Sequence, residues 1–128
     1  MHNMGYIVDD IAQKLADSGL GTIGTNIFKS YMPDTVDTGV CVLDTGGPMP
    51  DKELPTKSPT FQVFIRAADY ITGRAKLDAV RTALHQTKNT TLGNTFFYYI
   101  LAQSDGGHIG RNERGLDEFS INFICLTR

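Results

Sequence analysis

The chain of 128 residues has no tryptophan and only two cysteines, Cys41 and Cys125. Two cysteines so far apart do not make the framework of a disulfide-stapled secreted domain. Each lies in an apolar, strand-like run and reads as a buried free thiol. No stretch approaches the roughly 18 uninterrupted apolar residues of a membrane span, so no membrane partner is expected. Neither sign of charge is in excess: 12 Lys+Arg stand against 14 Asp+Glu, a net charge of -2. A general nucleic-acid binder would normally show a basic surplus. The opening MHNMGYIVDD has no basic segment followed by an apolar one, so no export signal is expected and a reducing cytoplasm is the default compartment. What is present is 41% apolar and 20% charged residues, the make-up of a soluble globular protein. One domain over residues 1–128 is expected, burying roughly two-thirds of the unfolded surface in a single core.

Residues 6–18 read as an amphipathic helix. Ile7, Val8, Ile11 and Leu15 form one stripe, and Asp9, Asp10, Gln13, Lys14 and Asp17 the other side. Gly19 and Gly21 end it. Short apolar runs at 26–32 and 40–44 read as strands, separated by turn-forming residues. Residues 45–58 hold three of the five prolines and read as a long loop. A third strand at 60–66 alternates Phe61, Val63 and Ile65 against Gln62, Phe64 and Arg66. A second helix is predicted from the N-cap Asp69 to about Thr87. Tyr70, Gly73, Leu77, Val80 and Leu84 share its inward face, with Gly73 permitting close approach. Ile71, Ala75 and Ala79 lie opposite as a weaker apolar patch.

Residues 87–94 read as a polar turn, 95–102 as a strand apolar on both faces, 103–117 as a second long loop, and 118–127 as the last strand. The expected order is α-β-β-β-α-β-β: an α+β two-layer sandwich, its mostly antiparallel sheet carrying two helices on one face.

Catalytic signals are few. Gly19-Leu20-Gly21-Thr22-Ile23-Gly24 matches a dinucleotide-binding pattern, but a helix precedes it and a strand follows, so no helix N-terminus is placed to hold phosphates. His2, His85 and His108 are scattered, with no Cys or carboxylate at metal-ligand spacing. No cofactor or metal is expected. Val42-Leu43-Asp44-Thr45-Gly46 and Ile109-Gly110-Arg111-Asn112 resemble the two signatures of retroviral-type aspartic proteases, in which paired aspartates share one proton. That fold is nearly all β, whereas this chain puts a long helix between the two segments. Asp44 remains the nucleophile-activating candidate of the enzymatic alternative.

Charge placement is more informative. Arg74, Arg81 and Lys88 recur every seven residues on one flank of the second helix. The segment from Met32 to Thr56 holds Asp34, Asp37, Asp44, Asp51 and Glu53 against a lone Lys52. The final loop packs Arg111, Glu113, Arg114, Asp117 and Glu118 together. Complementary patches of this kind suit a head-to-tail contact between copies. The candidate interface residues are therefore Arg111, Glu113, Arg114, Asp117 and Glu118, with Asp51, Lys52 and Glu53, and Arg74 and Arg81 on the helix.

Pro59-Thr60-Phe61-Gln62-Val63-Phe64-Ile65-Arg66, followed by Asp69-Tyr70 opening a helix, resembles the core of the tail-terminator (minor capsid) family of tailed bacteriophages. So does the ending, with Ile109-Gly110-Arg111-Asn112-Glu113-Arg114-Gly115 and then Glu118-Phe119-Ser120-Ile121-Asn122-Phe123. The resemblance covers about residues 55–128; Asn112 stands where the family pattern has an aspartate. It implies a structural virion protein without an activity. Such a protein forms a homo-hexameric ring at the head-proximal end of the tail tube and stops tube polymerisation. Its partners are then further copies of itself, the tail tube protein and the head-completion (connector) proteins, with DNA passing through the lumen. Another head-tail joining component is the second structural reading.

Overall fold

The computed structural model describes residues 7–47 and 56–128. Two helices and seven strands follow in the order α1 (Ile7–Asp17), β1 (Ile27–Lys29), β2 (Gly39–Gly46), β3 (Thr60–Ala67), α2 (Tyr70–Leu84), β4 (Thr87–Leu92), β5 (Thr95–Ala102), β6 (Gly107–Arg111) and β7 (Asp117–Thr127). The expected α+β class holds: the strands form one sheet, β1-β2-β3-β7-β5-β4, with β6 added beside β7. Among these strands β1 and β2 run parallel; the remaining pairs are antiparallel.

Two segments expected to be irregular are strands. Residues 87–94 form β4 and a tight turn, because Gly93 (φ 59°) takes the left-handed position of a two-residue hairpin loop between the paired Leu92 and Thr95. Within residues 103–117, β6 forms because β7 is longer than its partner β5. The second half of β7 pairs β5, and its first half would otherwise lack a neighbour on that side. Helix α2 is also shorter than expected: it stops at Leu84, and Lys88 lies in β4, away from the helix flank.

Alternation fills the core. Phe61, Val63 and Ile65 of β3 and Phe119, Ile121, Phe123 and Cys125 of β7 point to the helix side and are fully buried or nearly so. Phe61 and Phe123 stack with centroids 5.0 Å apart. Leu77, Val80 and Leu84 of α2 and Ile11 and Leu15 of α1 close the core from above. Gly73 behaves as its position predicts: a Cβ there would lie 2.1 Å from Cε1 of Phe119, so the helix seats directly on that ring.

Helix α1 touches β1 and β2 at one edge of the sheet and β4 at the other, so the sheet curls around it. This contact explains a miss in the helix reading. Asp10, expected on the wet side, is 1% exposed and its Oδ2 accepts from the Thr95 hydroxyl at 2.5 Å. The curl brings the start of β5 over the helix flank that a flat sheet would leave open.

Candidate assembly site

The charged ending folds into the β6–β7 turn, whose form is set by Asn112. Its Oδ1 accepts from the backbone N–H of Arg114 (2.9 Å) and of Leu116 (3.1 Å), while its own N–H donates to Leu116 O at 2.9 Å. Gly115 (φ 76°) supplies the left-handed residue that the turn needs. Asn112 Nδ2 donates to Glu118 Oε2 at 3.4 Å. An aspartate here could make the two turn bonds, but would face Glu118 with a second carboxylate. Asparagine at this position is thus accounted for by its donor.

Successive strand residues point to opposite faces, which separates the two acids that start β7. Asp117 faces the helices and is 2% exposed. Its Oδ1 takes both His108 Nε2 at 2.9 Å and Arg111 Nε at 3.4 Å, and its Oδ2 has no partner among the described residues. The His108 ring packs against Phe119 and against Tyr70 at the start of α2. Glu118 faces the opposite side and pairs with Arg66 of β3, its register partner, at 3.3 Å.

Arg66 is itself buried and donates through Nη1 to the carbonyls of Pro33 (3.1 Å) and Val36 (3.3 Å). Arg114 reaches the same segment, donating to the Asp34 carbonyl and the Asp37 carboxylate. The acidic segment and the mixed-charge turn, read from sequence as separate patches, therefore meet within one chain. Glu113 is exposed at the tip of the turn and, with Arg66, Arg114 and Asp34, borders a concavity of about 250 Å³.

Arg74 and Arg81 lie on α2 away from this cluster. Both flank Asp78, at 3.8 and 3.5 Å, and Arg81 also approaches Asp105 at 3.8 Å. Asp51, Lys52 and Glu53 lie outside the described residues. Sequence reasoning missed Arg66, Asp37 and His108 as members of the cluster. Arg66 did carry a signal, since it is the one charged side chain in an otherwise apolar and polar-neutral strand.

Asp44 is exposed and its Oδ1 accepts from Gly46 N–H at 2.8 Å, a local turn contact. Burial pushes the thiol of Cys41 up to about 11, against the opposing pull of Arg66, and that of Cys125 up to about 12. Both are therefore protonated in the folded protein at neutral pH. Among the described residues no group of three or more His, Cys, Asp or Glu side chains could hold a metal ion. His85 is exposed, and its Nδ1 accepts from Ala102 N–H at 2.9 Å, tying the end of α2 to β5.

The model of the bacteriophage tail terminator protein family matches residues 14–127. The chain belongs to that family. A chain of the virion of a native gene transfer agent particle shares the fold, with a TM-score of 0.68 and 17% identity over 96% of this chain and 95% of that one. No curated protein sequence matches. Tail terminators are structural, non-enzymatic proteins of the virion tail, so the aspartic-protease alternative is set aside. The family match also decides between the two structural readings, in favour of the terminator over another joining component.

Proposed function

We propose that this terminator closes into a hexameric ring on the head-proximal end of the completed tail tube. There it stops tube polymerisation and offers a surface to the head-completion proteins, with DNA passing through the lumen. The observation that carries the reading is the β6 edge. Among the described residues β6 is paired on one side only, to β7. β6 itself carries the exposed side chain of Ile109 (59%), and Tyr70 (47%) lies against its His108 ring. A free edge with apolar neighbours is a surface suited to another chain.

Two further features support it. Among the described residues the Oδ2 of Asp117 is buried without a donor, a cost that the isolated chain bears. Arg111, 70% exposed, lies beside it with only part of its guanidinium engaged. We therefore assign the protomer or tube contact to Arg111, Glu113 and Arg114, with Asp117 and Glu118 holding the turn. Asp51, Lys52, Glu53, Arg74 and Arg81 are the candidates for the opposing surface. The experiment is phage complementation with Glu113→Lys and Arg114→Glu, folding being checked by circular dichroism. Folded variants that no longer join heads to tails are expected. Folded variants that complete tails normally would overturn the assignment.

A further inference from the structure

The connection between β1 and β2, residues 30–38, is placed under an unusual demand. Because these strands are parallel neighbours, the chain must travel back along them before β2 can begin. It does so over the sheet face turned away from the helices, and the groups that hold it there are polar. Arg66 donates to its carbonyls at Pro33 and Val36, and Arg114 grips Asp34 and Asp37. Its apolar anchor is small. Met32 is buried, as are Cys41 on the same outward face of β2 and Leu116 in the β6–β7 turn, yet none of the three belongs to the contiguous core.

We propose that residues 30–38 form a strap that lifts off the sheet as a unit while the core stays folded, with the Arg114–Asp37 ion pair as its latch. The argument is one of unequal anchoring. The core is held by interlocked aromatic and aliphatic side chains, whereas the latch is an exposed pair, with both side chains more than two-fifths accessible. Exposed pairs contribute little and are screened by salt. Segments with few apolar contacts open locally before the whole domain does. Lifting the strap uncovers Cys41 and the apolar face around Phe28 and Phe64, next to Arg66. This inference stands independently of the ring reading.

The two cysteines form a built-in pair of reporters. Cys41 is buried on the outward face of β2, the face on which Arg66 ties down the strap, and Cys125 lies on the helix side within the core. The experiment is alkylation of the native protein by N-ethylmaleimide, each site being followed by peptide mass spectrometry. Cys41 is expected to react at least about tenfold faster than Cys125. Arg114→Ala, which removes the exposed pair and the bond to the Asp34 carbonyl, should accelerate Cys41 about fivefold; Asp37→Asn, which removes the pair alone, should do so by about two- to threefold; both should leave Cys125 unchanged. Raising the salt should act in the same direction on Cys41 alone. Arg74→Ala, remote from the strap, should alter neither rate. Equal rates at the two cysteines in every variant would show that only global unfolding exposes Cys41 and would overturn the proposal. An unchanged Cys41 rate in both latch variants would do the same.

Discussion

Gly73 shows how one missing methyl group sets the distance between a helix and a sheet. The ring of Phe119 occupies the space that a Cβ would need, and that ring is itself held between Tyr70 and His108. Alanine is a better helix former than glycine by about 1 kcal/mol, so on propensity alone Gly73→Ala should stabilise the protein. Packing opposes that gain, since forcing an atom into a filled core typically costs about 1–3 kcal/mol. A net loss of about 1–2 kcal/mol is expected, seen as a lower urea midpoint with an unchanged slope. A midpoint equal to or above that of the parent would mean that α2 can rise off Phe119 at little cost. The inward position of Gly73 was legible from helical spacing, because the turn-by-turn stripe needs no tertiary knowledge. The burial of Asp10 was not, because it depends on the sheet curling until Thr95 reaches the helix.

At the scale of elements, the start of α2 illustrates a local signal that carries through to the structure. Asp69 takes an extended conformation, and its Oδ1 accepts from Thr72 N–H at 2.8 Å, satisfying an otherwise orphaned donor of the first turn. The backbone bond from Thr72 is the main reason that its carboxyl lies below the ordinary value of 3.8. A carboxyl whose folded pKa is depressed stabilises the protein above the unfolded pKa and loses that contribution as the pH falls through the folded one. Asp69→Ala should therefore lower the denaturation midpoint at pH 7, and the gap to the parent should narrow as the pH drops below about 4. A gap independent of pH would assign the effect to something other than the ionised cap.

Strands were less evenly legible. Alternation exposed β3 and β7, each with one face buried. The β4 hairpin carried a readable Gly93-Asn94 turn and β-branched threonines, but its polar composition obscured them. β6 has no alternation and Ile109 as its single large apolar side chain, and exists because β7 offers an unfilled edge. The candidate site follows the same rule. Its residues were visible as a run of charges, while their partners Arg66 and Asp37 come from strands and loops remote in sequence.

At the scale of the whole molecule, the charges singled out for assembly are already engaged within one chain. Arg114 holds Asp37, Arg111 shares Asp117 with His108, and Arg74 and Arg81 share Asp78. Transferring an exposed arginine from an internal acid to a neighbour's acid exchanges one weak pair for another, each worth about 0–1 kcal/mol. Electrostatics in the proposed ring should accordingly select register and partner more than supply affinity. The favourable part must come from apolar burial around Tyr70 and Ile109 and from pairing the β6 edge. A heterologous joint also gains only when the rotation closes, and in the proposed ring the tube end would be the template for closure. The purified protein is therefore expected to sediment as a 14.1 kDa monomer at about 10 µM, a concentration at which a contact weaker than about 7 kcal/mol stays mostly dissociated. Six-membered annuli should then be seen by electron microscopy only at tube ends. Replacing Ile109 with aspartate should abolish them while leaving the monomer folded, since that side chain has no role in the core. A hexamer that persists at nanomolar concentration without tubes would mean that the joint is preformed and strong, and that the energy of closure lies in surfaces other than β6.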